Sequence, residues 1–352
     1  MRRSLRIVGG FALALLVVGG FLLVVGPRRV LAELATATLP VYAVGFVAVL
    51  GAFWCWSEAL RRLLLSVGQT VGGPRYRAAF MSGELAKQVV PMGHSGGPVF
   101  VSYAVSRESD APYESTLAAA TVVEFVNIGA SVVLATGGLA VLLLTGQGPL
   151  DAVFAALVVG LAIAASGLFG AAALVNYRRA LVERGVLWLA GVGRATLGRL
   201  SRRVRAVLAG ERIQSTFGTY YAAFDRALVD RTQVRRAALF SLLGWGLFLV
   251  PLYTSLLAID HPVPYALVVF VVPVLSLVNV VPLPGGLGGF EVALAGVLVA
   301  LVAGLELPAA TAGVFLYRLS NYWFVVLVGV VASAVVSVRP SDAPPVLGPD
   351  EK

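Results

Sequence analysis

Val280-Val281-Pro282-Leu283-Pro284-Gly285-Gly286-Leu287-Gly288-Gly289-Phe290-Glu291 interrupts an apolar run that otherwise extends from about residue 265 to 305. Proline removes a donor and blocks the preceding turn, so a helix stops before it, and the glycines permit a tight reversal. An earlier stretch, Val89-Val90-Pro91 followed by Gly96-Gly97, uses the same device between two short apolar pieces, 78–90 and 99–105. Neither piece alone approaches the roughly 20 residues that cross a bilayer. Outside the two breaks lie continuous apolar runs at 7–25, 39–60, 115–144, 152–175, 238–259 and 309–338. They lack the period-2 alternation of a spanning β-barrel. The pattern predicts an all-α integral membrane protein of about six full transmembrane helices plus two re-entrant helical hairpins.

Composition agrees. Of 352 residues, 59% are hydrophobic and 13% charged, with mean hydropathy +0.89, against roughly 45–50% apolar and 25% charged in a soluble domain. The longest polar stretch, about 60 residues, is at the floor for an independent fold, so no separate catalytic domain is expected. The single cysteine, Cys55, has no intramolecular partner, and His94 and His261 are the only histidines. A metal centre therefore lacks ligands. The glycine clusters follow broken apolar helices rather than strands, which removes dinucleotide and nucleotide loops. No cofactor is expected.

Net charge is +9, and its placement sets orientation. Arg2, Arg3 and Arg6 precede the first run; Arg61, Arg62, Arg75 and Arg77 follow the second. By the positive-inside rule both ends are cytoplasmic. A signal peptide cleaved near Ala35-Thr36-Ala37 is the other reading of 7–25, but keeping that helix orients every later span correctly. Residues 1–339 thus form one polytopic unit: a first half, 1–175, a basic cytoplasmic segment, 176–237, and a second half, 238–339. The proline-rich tail 340–352 is expected to be disordered. In the basic segment apolar residues recur every three or four positions, as in helices on a membrane surface. Nucleic-acid binding has no recognition motif to support it. The expected location is the cell membrane, with both termini cytoplasmic.

The same orientation makes the first hairpin open inward and the second outward, the pattern of inverted-topology repeats that form a midplane substrate site. Non-helical backbone in hydrocarbon leaves unpaired polar groups, so it survives only against protein or a wet cavity. Helices starting after Gly96-Gly97 and after Gly285, Gly286, Gly288 and Gly289 would offer amides to an anion. The plainer reading is that these glycines only allow close helix packing. Pro91, Pro282 and Pro284 are the structural breaks. Ionisable groups inside apolar runs are costly and mark cavities or partners. They are Glu84 and Lys87, three apart and able to pair, Glu124, Glu291 and Arg318. Glu291 and Arg318 either pair structurally, or Arg318 binds a lipid phosphate while Glu291 opens and closes. His94 is either a proton relay or a plain hydrogen-bonding group. Asn127, Asn279 and Asn321 could add neutral contacts.

With Val314-Phe315-Leu316-Tyr317-Arg318-Leu319-Ser320-Asn321-Tyr322-Trp323 downstream, residues 279–291 resemble the lysylphosphatidylglycerol synthase transmembrane region family, also called flippase-like membrane proteins. Pro282, Pro284, Gly285, Gly286, Gly288, Glu291, Tyr317 and Arg318 fit its P-x-P-G-G-x-G-x-x-E stretch and later Tyr-Arg span. The first half departs. Gly96-Gly97-Pro98-Val99-Phe100 stands where the family often has Gly-Glu and an arginine, and Glu124-Phe125 where it often has Glu-Arg. Pro91 to Gly97 looks most like archaeal single-domain members.

The resemblance implies lipid translocation rather than synthesis. Full-length bacterial members carry a C-terminal synthase domain absent from this sequence, and there is no Asp-x-Asp sequence of a sugar transferase. The expected activity is movement of an anionic or polyprenyl-phosphate-linked lipid head group between leaflets, without enzymatic chemistry. Arg318, Glu291, Tyr317, Asn279 and the second glycines would serve one side of the cavity; His94, Gly96, Gly97, Glu84, Lys87 and Glu124 would serve the other. The alternative is a scaffold that recruits a separate lipid-modifying enzyme through its basic segment. A membrane-embedded transferase ranks third, because Glu84 and Glu124 have no evident nucleophile or metal beside them. Membrane lipids are the expected partners, and the resemblance leaves a homodimer open.

Overall fold

A computed structural model describes residues 2–90, 96–109, 111–147, 151–177, 210–278 and 284–337. Among them there are helices and connecting turns and no strand. In chain order the helices are α1 (Arg2–Val25), α2 (Pro27–Ala35), α3 (Leu39–Ser66), α4 (Gly73–Val89), α5 (Gly97–Glu108), α6 (Tyr113–Leu144) and α7 (Ala152–Tyr177). They continue with α8 (Gly210–Val229), α9 (Arg231–Ala258), α10 (Tyr265–Val278), α11 (Gly289–Leu301), α12 (Leu307–Arg318) and α13 (Phe324–Ser337). A π-helical turn, Leu319–Trp323, joins the last two into one continuous rod. Among the described residues, α3, α6, α7, α9 and the α12–α13 rod are long and apolar enough to cross a membrane. The chain is a multi-pass helical membrane protein.

Lipid tails are as apolar as leucine, so helix association in a bilayer depends on close backbone approach. The glycines show where this happens. A Cβ on Gly138 would lie 2.8 Å from the Ala266 carbonyl and 2.9 Å from Phe270 N, which lets α10 run along α6. A Cβ on Gly83 would lie 2.6 Å from the Val101 Cα, which closes α4 and α5 into a hairpin. Gly45 meets Pro251 and Thr254 where α3 packs along α9, and Gly329 meets Leu85 where α13 crosses α4. Large apolar side chains such as Val47, Val133, Leu327 and Val331 point outward.

The two breaks are not equivalent in packing. α4 and α5 lie against each other, as a hairpin should. By contrast α10 packs chiefly along α6 and α11 against α12, so this pair is splayed apart. Two helices were not anticipated as packed elements. Amphipathic α2 buries Val30 against a cluster that includes Ala312 of α12, and α8, within the basic segment, buries Ala223, Phe224 and Ala227 with residues of α6. Residues 178–209, the rest of that segment, and the tail from 338 lie outside the described residues.

Candidate functional site

Where α10 and α11 diverge, the chain turns through a 3₁₀ element, Pro284–Gly286. Gly285, Gly286 and Gly288 all have positive φ, at +59°, +65° and +88°, a region only glycine enters freely. Gly285 has a second constraint, since a Cβ there would run into the Tyr322 ring. Gly289 opens α11, and Glu291 stands in its first turn.

Glu291, 2% exposed, divides its two oxygens. Oε2 accepts from the Gly288 amide at 2.6 Å, and Oε1 accepts from Arg318 Nε at 2.6 Å. The first contact is half of a capping box, which glycine at the cap cannot reciprocate for want of a side chain. The carboxylate also sits at the positive end of the α11 dipole. Arg318 donates from Nη2 to the Gly285 carbonyl at 2.7 Å. Its guanidinium lies 4.6 Å from the Tyr322 ring centre and 5.3 Å from that of Phe290. Planar geometry with several donors lets arginine bridge a carboxylate and a carbonyl while stacking on rings.

The π turn that follows Arg318 explains how so many neighbours share the interior. Tyr317, Arg318, Ser320, Asn321 and Tyr322 are all buried, more than one face of a regular α-helix would place inward. Asn321 Nδ2 donates to Tyr317 Oη at 3.0 Å. Tyr322 Oη donates to the Gln88 carbonyl at 3.4 Å, at the end of α4. The second glycine turn itself touches α4. The two breaks, far apart in sequence, therefore meet at Tyr322.

On the first side, Lys87 Nζ lies 3.6 Å from Glu84 Oε1 and 3.8 Å from Glu124 Oε2. The local pair expected from three-residue spacing is thus a bridge between α4 and α6. Gly97, first residue of α5, abuts the lysine: a Cβ there would be 3.1 Å from Lys87 Cε. Gly96 precedes it against Phe100. Asn127, one turn beyond Glu124, has its Oδ1 buried with no partner among the described residues. Pro91, His94, Asn279 and Pro282 lie outside the described residues. Among the described residues, no cluster of three His, Cys, Asp or Glu side chains could hold a metal.

Sequence reading passed over Tyr322 and Phe290 as site residues, although both stand inside the quoted motifs, because Phe290 reaches Arg318 from a separate helix and Tyr322 reaches it through the π turn. It also passed over Glu58. The signal there was a lone acid among arginines at the end of an apolar run. Between α7, α10 and α11, an apolar groove of about 380 Å³ is lined by Ala152, Ala156 and Gly160 of α7, Val274 and Leu275 of α10, and Val297 of α11. Ala152 and Ala156 are exposed, so it opens on the outer surface.

No protein of curated function matches the chain. A family model for the lysylphosphatidylglycerol synthase transmembrane region matches residues 8–329, nearly its whole length, and takes in both breaks and the Tyr317-Arg318 pair. The chain belongs to the lysylphosphatidylglycerol synthase transmembrane region family.

Proposed function

We propose that this protein is a lipid translocase of the cell membrane that moves an anionic or polyprenyl-phosphate-linked head group between leaflets, without enzymatic chemistry. The observation that carries this reading is the occupancy of the anion position at the start of α11. The Gly288 amide and Arg318, both suited to a phosphate, are held by the Glu291 carboxylate. Glu291 acts as an internal substitute for the head group when the site is empty, and an arriving phosphate displaces it. Stacking on Tyr322 and Phe290 keeps Arg318 in place while its partner changes.

The lipid character of the substrate is supported by the family and by the apolar groove between α7 and the two helices that flank the second break, which has the lining an acyl or isoprenoid chain requires. In this reading the α4–α5 and α10–α11 pairs are oppositely oriented re-entrant elements, with both termini cytoplasmic, and each half moves against the other around the fixed site. Glu84, Lys87 and Glu124 serve the inward side, with His94 in the connecting break. Membrane lipids are the partners.

Native mass spectrometry of protein purified in mild detergent tests this. Wild type is expected to retain one more phosphate-bearing lipid than Arg318→Ala. Equal retention by both would remove Arg318 from the binding site.

A further inference from the structure

A second cluster of charge lies at the arginine-rich end of α3 and belongs to neither break. Glu58, 4% exposed, receives three arginines. Arg61 donates from Nε to Oε2 at 2.9 Å and from Nη2 to Oε1 at 2.8 Å. Arg62 Nη2 lies 2.7 Å from Oε1, and Arg77 Nη2, from α4, lies 3.9 Å from Oε2. Three guanidiniums on one carboxylate leave two positive charges uncompensated within the cluster.

Their positions are fixed by more than Glu58. The Arg77 guanidinium stands 4.7 Å from the Trp54 ring centre, and that of Arg62 stands 5.7 Å from that of Phe240 on α9. Tyr76, next to Arg77, donates to the Ser57 carbonyl at 2.7 Å and ties α4 to α3. Arg62 Nε is buried with no partner among the described residues, while all three side chains keep a fifth to a third of their surface open. A set of surface arginines that merely satisfied topology would need neither a shared buried acid nor stacked rings.

The ring beside the cluster identifies the ligand. Trp54, on which Arg77 stacks, is 46% exposed on the outer face of α3, and tryptophan sits at the head-group level of a bilayer. We infer that Arg61, Arg62 and Arg77, prearranged by Glu58, form a binding site for the phosphate of an anionic phospholipid in the adjoining leaflet. This site is separate from Arg318 and stands whether or not that residue binds a transported lipid. The ligand is a lipid phosphodiester rather than a free anion, because the cluster stands toward the end of a helix long and apolar enough to cross a membrane, beside an exposed ring of the head-group type. Its role is to hold an anionic lipid at the junction of α3, α4 and α9, next to the hairpin of the first break.

Native mass spectrometry of the full chain in neutral detergent, titrated with phosphatidylglycerol and with phosphatidylcholine, tests the site. Wild type is expected to retain phosphatidylglycerol in preference to phosphatidylcholine. Arg61→Gln with Arg77→Gln should weaken this at least tenfold, whereas Arg231→Gln with Arg235→Gln, which removes as many charges from exposed positions of the neighbouring helix, should not. Arg77→Gln alone, whose contact with Glu58 is the longest, gives the same direction with least risk to folding. Equal losses in both double variants would reduce the site to general positive potential and overturn the inference. So would displacement by millimolar inorganic phosphate, which would assign a free-anion site instead.

Discussion

Glu291 and Arg318 form the pairing on which the second break depends, and both are almost fully buried. Removing one member of a buried pair leaves a charge without compensation, typically at a cost of about 3–5 kcal/mol. Glu291→Gln is therefore expected to lower the thermal midpoint in detergent markedly, and Glu291→Gln with Arg318→Ala to lower it less than the sum of the single changes. If a phosphate replaces the carboxylate during transport, added phosphatidylglycerol should raise the midpoint of Glu291→Gln more than that of wild type. An equal rise in both would argue that no lipid phosphate reaches Arg318. Both residues were legible in the sequence as charges inside apolar runs. Their pairing was one of two open readings, because 27 residues of chain separate them and only the fold decides whether they meet. Tyr322 was less legible, since its contacts with Arg318 and Gln88 depend on the π turn and on α4.

At the scale of elements, the breaks and five of the six expected spans were readable among the described residues, because proline and glycine act on the local backbone and continuous apolar runs set helix length. Helix ends ran further than the apolar runs, as at α3, which continues to Ser66 through Arg61 and Arg62, because arginines snorkel from a helix end without ending it. Packing between elements was not readable. Nothing local distinguishes Gly83, pressed against Val101, from Gly167 of α7, which has open space around it. The contrast is measurable. Gly83→Ala should separate α4 from α5 and destabilise by about 1–3 kcal/mol, as overpacking does. Gly167→Ala should be neutral or stabilising by up to about 1 kcal/mol, because alanine is the better helix former. Thermal unfolding of the two variants side by side checks this, and equal effects would mean that the α4–α5 contact is loose. The splaying of α10 from α11 has the same origin: Gly138 on α6 captures α10, a long-range contact with no local signature.

For the whole molecule, the arrangement joins two discontinuities at one point. α4 ends at Gln88 and Val89, the second glycine turn rests on α4, and the α12–α13 rod passes beside both with Arg318 and Tyr322 facing inward. In the proposed translocation, accessibility changes as one half tilts against the other: Glu84, Lys87 and Glu124 are held by α4 and α6 and Glu291 and Arg318 by α11 and α12. The most direct measurement is head-group crossing in vesicles reconstituted with the full chain, using phosphatidylglycerol and a polyprenyl phosphate carrying a fluorophore that an impermeant reductant bleaches only in the outer leaflet. Wild type is expected to make the inner-leaflet pool accessible for at least one of these lipids, and Arg318→Ala to return the rate to that of protein-free vesicles. Wild type that accelerates neither lipid, or Arg318→Ala that moves lipid as fast as wild type, would contradict translocation through the Arg318 site.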